Sequence, residues 1–234
     1  MEAPSLATHG FAVVHDVIDA AFRARLRTAI AAALGDAAGS RTGLSHPAVR
    51  ELAVAPAVRA LVEPVLGTPA FAVRATLFDK TPLANWLVAW HQDLVVAVRK
   101  RREAPGFGPW SVKHGVPHVQ APAAVLAGLL AVRIDLDGSR ASNGPMRVLP
   151  GTHLAGVLTA SQRSESAWSQ AAVTCVVPPG GALLMRPLLL HASSRAEVPG
   201  HRRVVHLEFA ADDLPHGLEW NERVGGDGGA IATP

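Results

Sequence analysis

The sequence predicts a mainly β fold, a sandwich or barrel with flanking helices on its N-terminal side, and three observations carry that prediction. From residue 70 onward, short runs rich in valine, leucine and phenylalanine (70–78, 86–91, 94–99, 128–136, 173–177, 182–185, 188–191 and 203–209) alternate with Pro/Gly/Asn turns. Runs of that length between turn signals suit antiparallel strands better than the alternating units of a parallel α/β sheet. Before residue 70 the apolar spacing is helical instead. Finally, a chain of 234 residues that is 49% hydrophobic and only 18% charged can bury a sizeable core without a disulfide or structural metal, which excludes disorder.

The elements follow in order. Phe11-Ala-Val-Val14 after Gly10 reads as a short strand. Asp19 then precedes Phe22, Leu26, Ile30 and Leu34, an apolar stripe repeating every four residues, with an N-cap acid before it and Gly35 after it. A second helical stretch opens at Pro47, is interrupted at Pro56 and stops at Gly67. Proline suits a first turn and breaks an interior, so two short helices are expected there. The segment 103–122, with Pro105, Gly106, Gly108, Pro109, Gly115 and Pro117, reads as a long irregular insertion, and such loops are usually lids or binding loops. The organisation expected is one domain over 1–234, with a helical part at about 19–67, a β core at about 70–210 and a glycine-rich flexible tail from about 225.

Composition excludes several classes. The pI of 9.7 suggests nucleic acid, but the formal net charge is only +3. With three lysines (Lys80, Lys100, Lys113) and no tyrosine, few groups titrate between neutrality and the lysine range, so a small surplus gives a high pI. The basic run Arg99–Arg102 reads as a solvated loop. No apolar run approaches the roughly 20 residues of a membrane span. Met1–Thr8 has no basic segment followed by an apolar one, and the lone Cys175 has no internal partner, so the expected location is the cytoplasm.

The chemistry centres on Trp90-His91-Gln92-Asp93. Residues i and i+2 of a strand share a face, so His91 and Asp93 can reach one point and supply an imidazole and a carboxylate, two ligands of the facial triad that holds non-haem Fe(II). Alone, that pattern is weak. Downstream, Pro178-Pro-Gly-Gly181 makes a tight turn, and Leu188-Leu-Leu190 delivers His191 at a strand end, either as a core histidine or as a ligand. Arg202 opens the run Arg203–Phe209; an arginine at the start of a buried strand needs an anion, and a dicarboxylate would satisfy it bidentately.

Trp-His-Gln-Asp at 90–93, Asn-Gly-Pro-Met-Arg-Val-Leu-Pro-Gly-Thr-His at 143–153, and His191 followed eleven residues on by Arg202 resemble the phytanoyl-CoA dioxygenase family of Fe(II)- and 2-oxoglutarate-dependent oxygenases. The resemblance runs from about residue 10 to 210. It implies a double-stranded β-helix, or jelly roll, with His91, Asp93 and His191 on the iron and Arg202 on the distal carboxylate of 2-oxoglutarate. The neighbouring Arg203 is the alternative, since alternation lets only one of the two face the pocket. Three protein ligands leave positions for the keto acid and O2. Relatives that halogenate lack the carboxylate ligand; Asp93 is present, so hydroxylation or a related oxidation is expected, with release of succinate and CO2.

Other positions are open to two readings each. Arg74, Thr76 and Lys80 stand on the strand before the iron motif, where the resemblance implies cosubstrate or substrate contacts; Arg74 and Thr76 are the candidate cosubstrate contacts and Lys80 a candidate substrate contact. Arg133 and Asp135 stand at i, i+2 in an apolar strand, either as a salt bridge or for substrate recognition. Gln92 is a candidate pocket residue, though ideal alternation turns it away. Trp110 and Phe107 either cover a substrate or pin the insertion. His118, with His114, reads as a lid or substrate contact rather than a zinc pair, because Gly115 and Pro117 preclude a helix between them. His206 and Glu208 form a second same-face pair, the runner-up triad. Asn143–Pro145 and Gly151–His153 read as structural turns.

The partner expected is a small-molecule substrate; relatives oxidise amino-acid derivatives, alkaloids, lipids and phosphonates, and nothing in the sequence selects among these or fixes an oligomeric state. Two other classes remain: a cupin-like metal enzyme without oxygen chemistry, and a non-catalytic binding jelly roll. Arg202 discriminates against the first, having no evident partner without an anionic cosubstrate, and the intact His91/Asp93/His191 set against the second.

Overall fold

The computed structural model describes residues 3–35, 37–67, 69–163 and 172–226. Most of the tail expected to fray, residues 227–234, lies outside the described residues. Two antiparallel sheets form the jelly roll. The larger has six strands in the order β1 (Phe11–Val14), β11 (Ala182–Met185), β8 (Leu129–Asp135), β13 (Arg202–Ala210), β3 (Phe71–Lys80) and β2 (Gly39–Ser40). The smaller has four: β10 (Val173–Cys175), β9 (Met146–Val148), β12 (His191–Ser193) and β4 (Val88–His91). A three-stranded sheet, β5 (Val95–Ala97), β7 (Val116–Gln120) and β6 (Trp110–Lys113), stands beside them.

The helices cover the outer face of the large sheet. Asp19 caps α2 (Ala20–Leu34) by accepting a 2.7 Å hydrogen bond from the Phe22 amide, as the N-cap acid predicts. The stripe Leu26, Ile30 and Leu34 is buried. The prolines act as expected too, opening α3 (Pro47–Val54) and α4 (Pro56–Leu66) as separate helices. These three helices pack on Ala75, Leu77, Val132, Ile134, Leu184, Val205, Leu207 and Phe209, the outward-pointing set of β3, β8, β11 and β13. Helix α1 (Ala3–His9) precedes β1, and α5 (Ala123–Ala127) lies between β7 and β8. Among the described residues no helix is long and apolar enough to cross a membrane.

Between the sheets, one end is filled by Met146, Val148, Cys175, Leu183, Met185 and Leu189. The other end is the candidate site.

Two expectations need correction. The segment 103–122 is not an irregular insertion: β6 and β7 form a hairpin inside it, with Lys113 opposite Val116. His114 and Gly115, at φ 51° and 78°, supply the two positive φ values of a tight hairpin turn. Pro117 hid this strand, since a proline in a short run reads as a breaker. Leu188–Leu190 is not strand either; it is a buried turn, and His191 opens β12 rather than ending a strand. The Pro178–Gly181 turn is confirmed. At Gly180 (φ 84°) a Cβ would stand 2.6 Å from the Ile18 carbonyl oxygen, so only glycine lets the turn pack there.

Candidate metal centre and cavity

A cavity of about 450 Å³ opens between the two sheets. Its floor and one wall are the inner face of the large sheet. In β13 every second residue points inward, and the register aligns Arg202 with Lys80, Val204 with Phe78, His206 with Thr76 and Glu208 with Arg74. On the other side His206 aligns with Arg133. The opposite wall is the small sheet, with Val88, His91, Met146, His191 and Ser193.

His91 ends β4 directly across from His191 at the start of β12, and their rings lie 4.1 Å apart. The register slips between His191 and Ser193, a bulge of the kind that re-aims side chains beside sites. Asp93 follows, its amide held by the Pro187 carbonyl. Its two oxygens lie 3.8 Å from His91 Nε2 and 3.6 Å from His191 Nε2. One ligand atom from each of the three residues falls within 4.8 Å of the others. Both histidines point Nδ1 at a backbone carbonyl, His91 at Ala89 (2.9 Å) and His191 at Leu189 (2.8 Å). Nδ1–H must donate there, which leaves each Nε2 as a free lone pair directed at the common point. Burial pushes His191 down to about 4, keeping it neutral. Burial would raise the Asp93 carboxyl, but His191, His206, His91 and Arg74 together hold it at about 2, so it is ionised. Two imidazoles whose Nε2 atoms converge with a carboxylate on one point are a donor set fit for a divalent transition metal.

The structure also fixes the shell behind these ligands. Thr152 Oγ accepts from the Leu190 amide and donates to the Leu149 carbonyl, holding the turn before His191. Gln92 is buried with both donors and one acceptor lone pair used: Nε2 donates to the carbonyls of Gly156 and Leu188, and Oε1 accepts from the Leu158 amide. It lines the cavity, as the pocket expectation has it, while these bonds make it a strut between the neighbouring turns. At Gly144 (φ 69°) a Cβ would stand 2.4 Å from the Ser194 carbonyl, so the Asn-Gly-Pro turn is structural as expected.

At the floor, Arg202 and Arg133 are buried and line the cavity, and the Nε of each has no partner. Arg202 donates to Ser139 Oγ (3.3 Å), which in turn donates to Asp135 Oδ1 (2.5 Å). Burial, then the neighbouring Arg133, lowers Arg202 to about 10 against the pull of Asp135. Arg203 points the other way and forms a fork with Asp137, so alternation selects Arg202 for the pocket. Arg133 and Asp135 attract one another but form no direct ion pair; Arg133 lies over the Phe78 ring instead. Lys80 is fully buried behind this floor rather than in it, donating to the Ser194 carbonyl at 2.5 Å, and burial with Arg202 and Arg133 lowers it to about 8.

Several expectations shift in detail. Arg74 lines the cavity, but its Nε and Nη2 are both committed to Glu208 Oε1, so its charge is already matched. Thr76 faces the cavity unobstructed by alternation. His206 and Glu208 face the same cavity, not the opposite side of the sheet, and Glu208 is engaged with Arg74 rather than free as a ligand. Trp110 is half-buried on β6 under Arg101 and is not in the main cavity, and Phe107 belongs to the second apolar core. His118 is buried and lines a side chamber. Sequence reasoning missed Ser193, Trp86, Arg41 and Lys113, all of which line the main cavity. Ser193 was findable, standing two residues after His191 on one strand. The others carried no local signal.

Comparison with known proteins agrees with this geometry. A search of curated protein sequences finds no match. Among solved structures, the chain superposes on the non-heme alpha ketoglutarate dependent epimerase SnoN from nogalamycin biosynthesis with a TM-score of 0.68 at 18% identity, covering 97% of this chain and 88% of that one. It also superposes on EctD from S. alaskensis with 2-oxoglutarate and 5-hydroxyectoine (TM-score 0.69, 19% identity, 90% of this chain and 76% of that one). A third neighbour is the non-heme monooxygenase ThoJ in a nickel complex (0.68, 18%, 96% and 83%). At these identities the likeness establishes the jelly-roll fold. The family model for phytanoyl-CoA dioxygenase matches residues 6–204, nearly the whole chain including His91, Asp93, His191 and Arg202, and the protein therefore belongs to the phytanoyl-CoA dioxygenase family.

Proposed function

We propose that this member of a dioxygenase family is a non-haem Fe(II)- and 2-oxoglutarate-dependent enzyme that hydroxylates a small molecule, with succinate and CO2 as coproducts. The observation that carries the reading is the pair of Nδ1-to-carbonyl hydrogen bonds, which turns His91 Nε2 and His191 Nε2 toward the Asp93 carboxylate. His91, Asp93 and His191 would hold the iron. Arg202 would take the distal carboxylate of 2-oxoglutarate, with Arg133 beside it. Both guanidinium groups are buried with an unpartnered Nε, an arrangement that an anion stabilises. Thr76 and Ser193 border the same floor and can donate hydroxyl hydrogen bonds.

When bound, iron, the keto acid and O2 together supply the oxidation of a substrate C–H to C–OH. The chain's own part is positional. Asp135 and Ser139 orient Arg202, Thr152 orients the turn before His191, and Gln92 ties the backbone at Gly156, Leu158 and Leu188 around the ligand strand. Glu208 neutralises Arg74, so that cation does not compete with the metal for Asp93. EctD and SnoN have been solved with 2-oxoglutarate or alpha ketoglutarate, in keeping with this reading.

Anaerobic titration with Fe(II) and then 2-oxoglutarate tests it. Chelation by the keto acid should give a weak visible charge-transfer band that His191→Ala abolishes. Iron binding without the band would leave a metal protein of another kind, and no metal binding at all would end the proposal.

A further inference from the structure

We infer that the substrate oxidised at this centre is an anion, its carboxylate or phosphate group held at the cavity mouth by Arg41 and Lys113. The inference rests on the preceding reading for the reaction and adds the substrate class. Arg41 follows β2 and Lys113 ends β6, so they come from different sheets, and both line the main cavity. Both also line an adjoining chamber of about 140 Å³, large enough for a carboxylate or phosphate. Among the described residues, neither side chain has an ion pair or hydrogen bond. The fold nonetheless sets Lys113 within the fields of Arg41 and Arg74, and burial and those two charges lower its pKa.

The carboxylates nearby do not answer this charge. Glu208 is spent on Arg74. Glu222 lines the side chamber, in the field of Arg50 and without an ion pair to Arg41 or Lys113, so the anionic group would sit on the main-cavity side of the two cations. His118 completes the chamber: Nδ1 donates to the Val116 carbonyl, and Nε2 is buried with no partner. Arg41, exposed, and Lys113, half-buried, are thus two cations without a hydrogen bond or ion pair at one edge of the cavity, where an anionic group would be stabilised; His118 Nε2, a bare acceptor, adds no contact to an anion. The floor anion site at Arg202 and Arg133 is separate. It lies at the Arg202 end of β13 and would be filled by the cosubstrate, so an anion at Arg41 and Lys113 would be a second, distinct one.

The test uses protein loaded anaerobically with Fe(II) and 2-oxoglutarate, so the floor is occupied and the visible band reports the metal centre. Benzoate and phenylphosphate are titrated in, with benzyl alcohol as the uncharged control, against wild type, R41Q/K113Q and R41E/K113E. Saturable binding of at least one anion, about tenfold or more weaker in the glutamine pair and absent in the glutamate pair, is expected; which anion binds tells carboxylate from phosphate. If neither anion binds better than benzyl alcohol, or R41E/K113E binds as well as wild type, the anionic class is overturned while the iron reading stands. If the band never forms, the iron reading fails, and the same wild-type-to-variant difference on metal-free protein still decides the mouth.

Discussion

The two faces of β13 share one backbone and do opposite work. Outward, Val205, Leu207 and Phe209 are fully buried under the helices. Inward, Arg202, His206 and Glu208 are almost as buried, yet they face a cavity with Lys80, Arg74 and Arg133 as cross-strand neighbours. One face is an apolar seam that stabilises the fold; the other collects charges that are costly to desolvate and are held only by mutual pairing or by a ligand. The difference teaches where stability and function lie in this fold. Mutations outward should be felt by folding, and mutations inward by binding.

The sharpest break of that symmetry is at the ligands. Asp93→Ala or His191→Ala should abolish iron binding and 2-oxoglutarate turnover, since losing even a hydrogen-bond partner behind a metal ligand costs about 10–100-fold in metal affinity. The melting temperature of the metal-free protein should move little. Metal content by elemental analysis beside thermal melts checks both halves; a ligand variant that keeps its iron would refute the assignment. Next comes the one inward pair with a structural duty. Glu208→Ala leaves Arg74 buried and unpaired, with an expected loss of about 3–5 kcal/mol, whereas the double change Arg74→Met with Glu208→Leu should restore most of it. Denaturant melts of the single and double variants measure this, and a double variant no better than the single would show that the pair is not acting as a unit. Outward, Leu207→Ala should cost about 2–5 kcal/mol through a cavity in the seam, while the folded protein binds Fe(II) as before. A changed iron affinity there would mean the two faces are coupled.

The sequence made one face far more legible than the other. Helix α2 was readable because its stripe repeats and its cap is local; α3 and α4 because each begins with proline. The candidate metal-binding cluster was readable because His91 and Asp93 are two apart and His191 ends an apolar run. What was hidden depends on contacts between distant strands. That Glu208 neutralises Arg74 requires the β3/β13 register, 134 residues apart in the chain. That Gln92 is a strut requires the turns at 156–158 and 188. Lys113 reached the mouth through a hairpin that Pro117 disguised, and Arg41 through a two-residue strand without any pattern.

The smallest expected effect lies at the rim, where the faces meet. Asp137, just past the end of β8, receives the Arg203 amide and guanidinium at 2.8 Å and 2.9 Å and also pairs with Arg27 of α2. Burial alone would raise its carboxyl, but the hydrogen bonds and charges of Arg203 and Arg27 hold it below the ordinary value. A carboxyl whose pKa is depressed on folding contributes stability that is complete above its unfolded pKa of about 3.9 and is lost as the pH falls through the lower folded value. Asp137→Asn removes that contribution. The variant should be less stable than wild type at neutral pH, and the gap should close as the pH falls below about 4. Urea melts at several pH values read it directly. A gap that stays constant into acid would mean that Asp137 holds Arg203 by shape rather than by charge, and that the rim belongs with the apolar face after all.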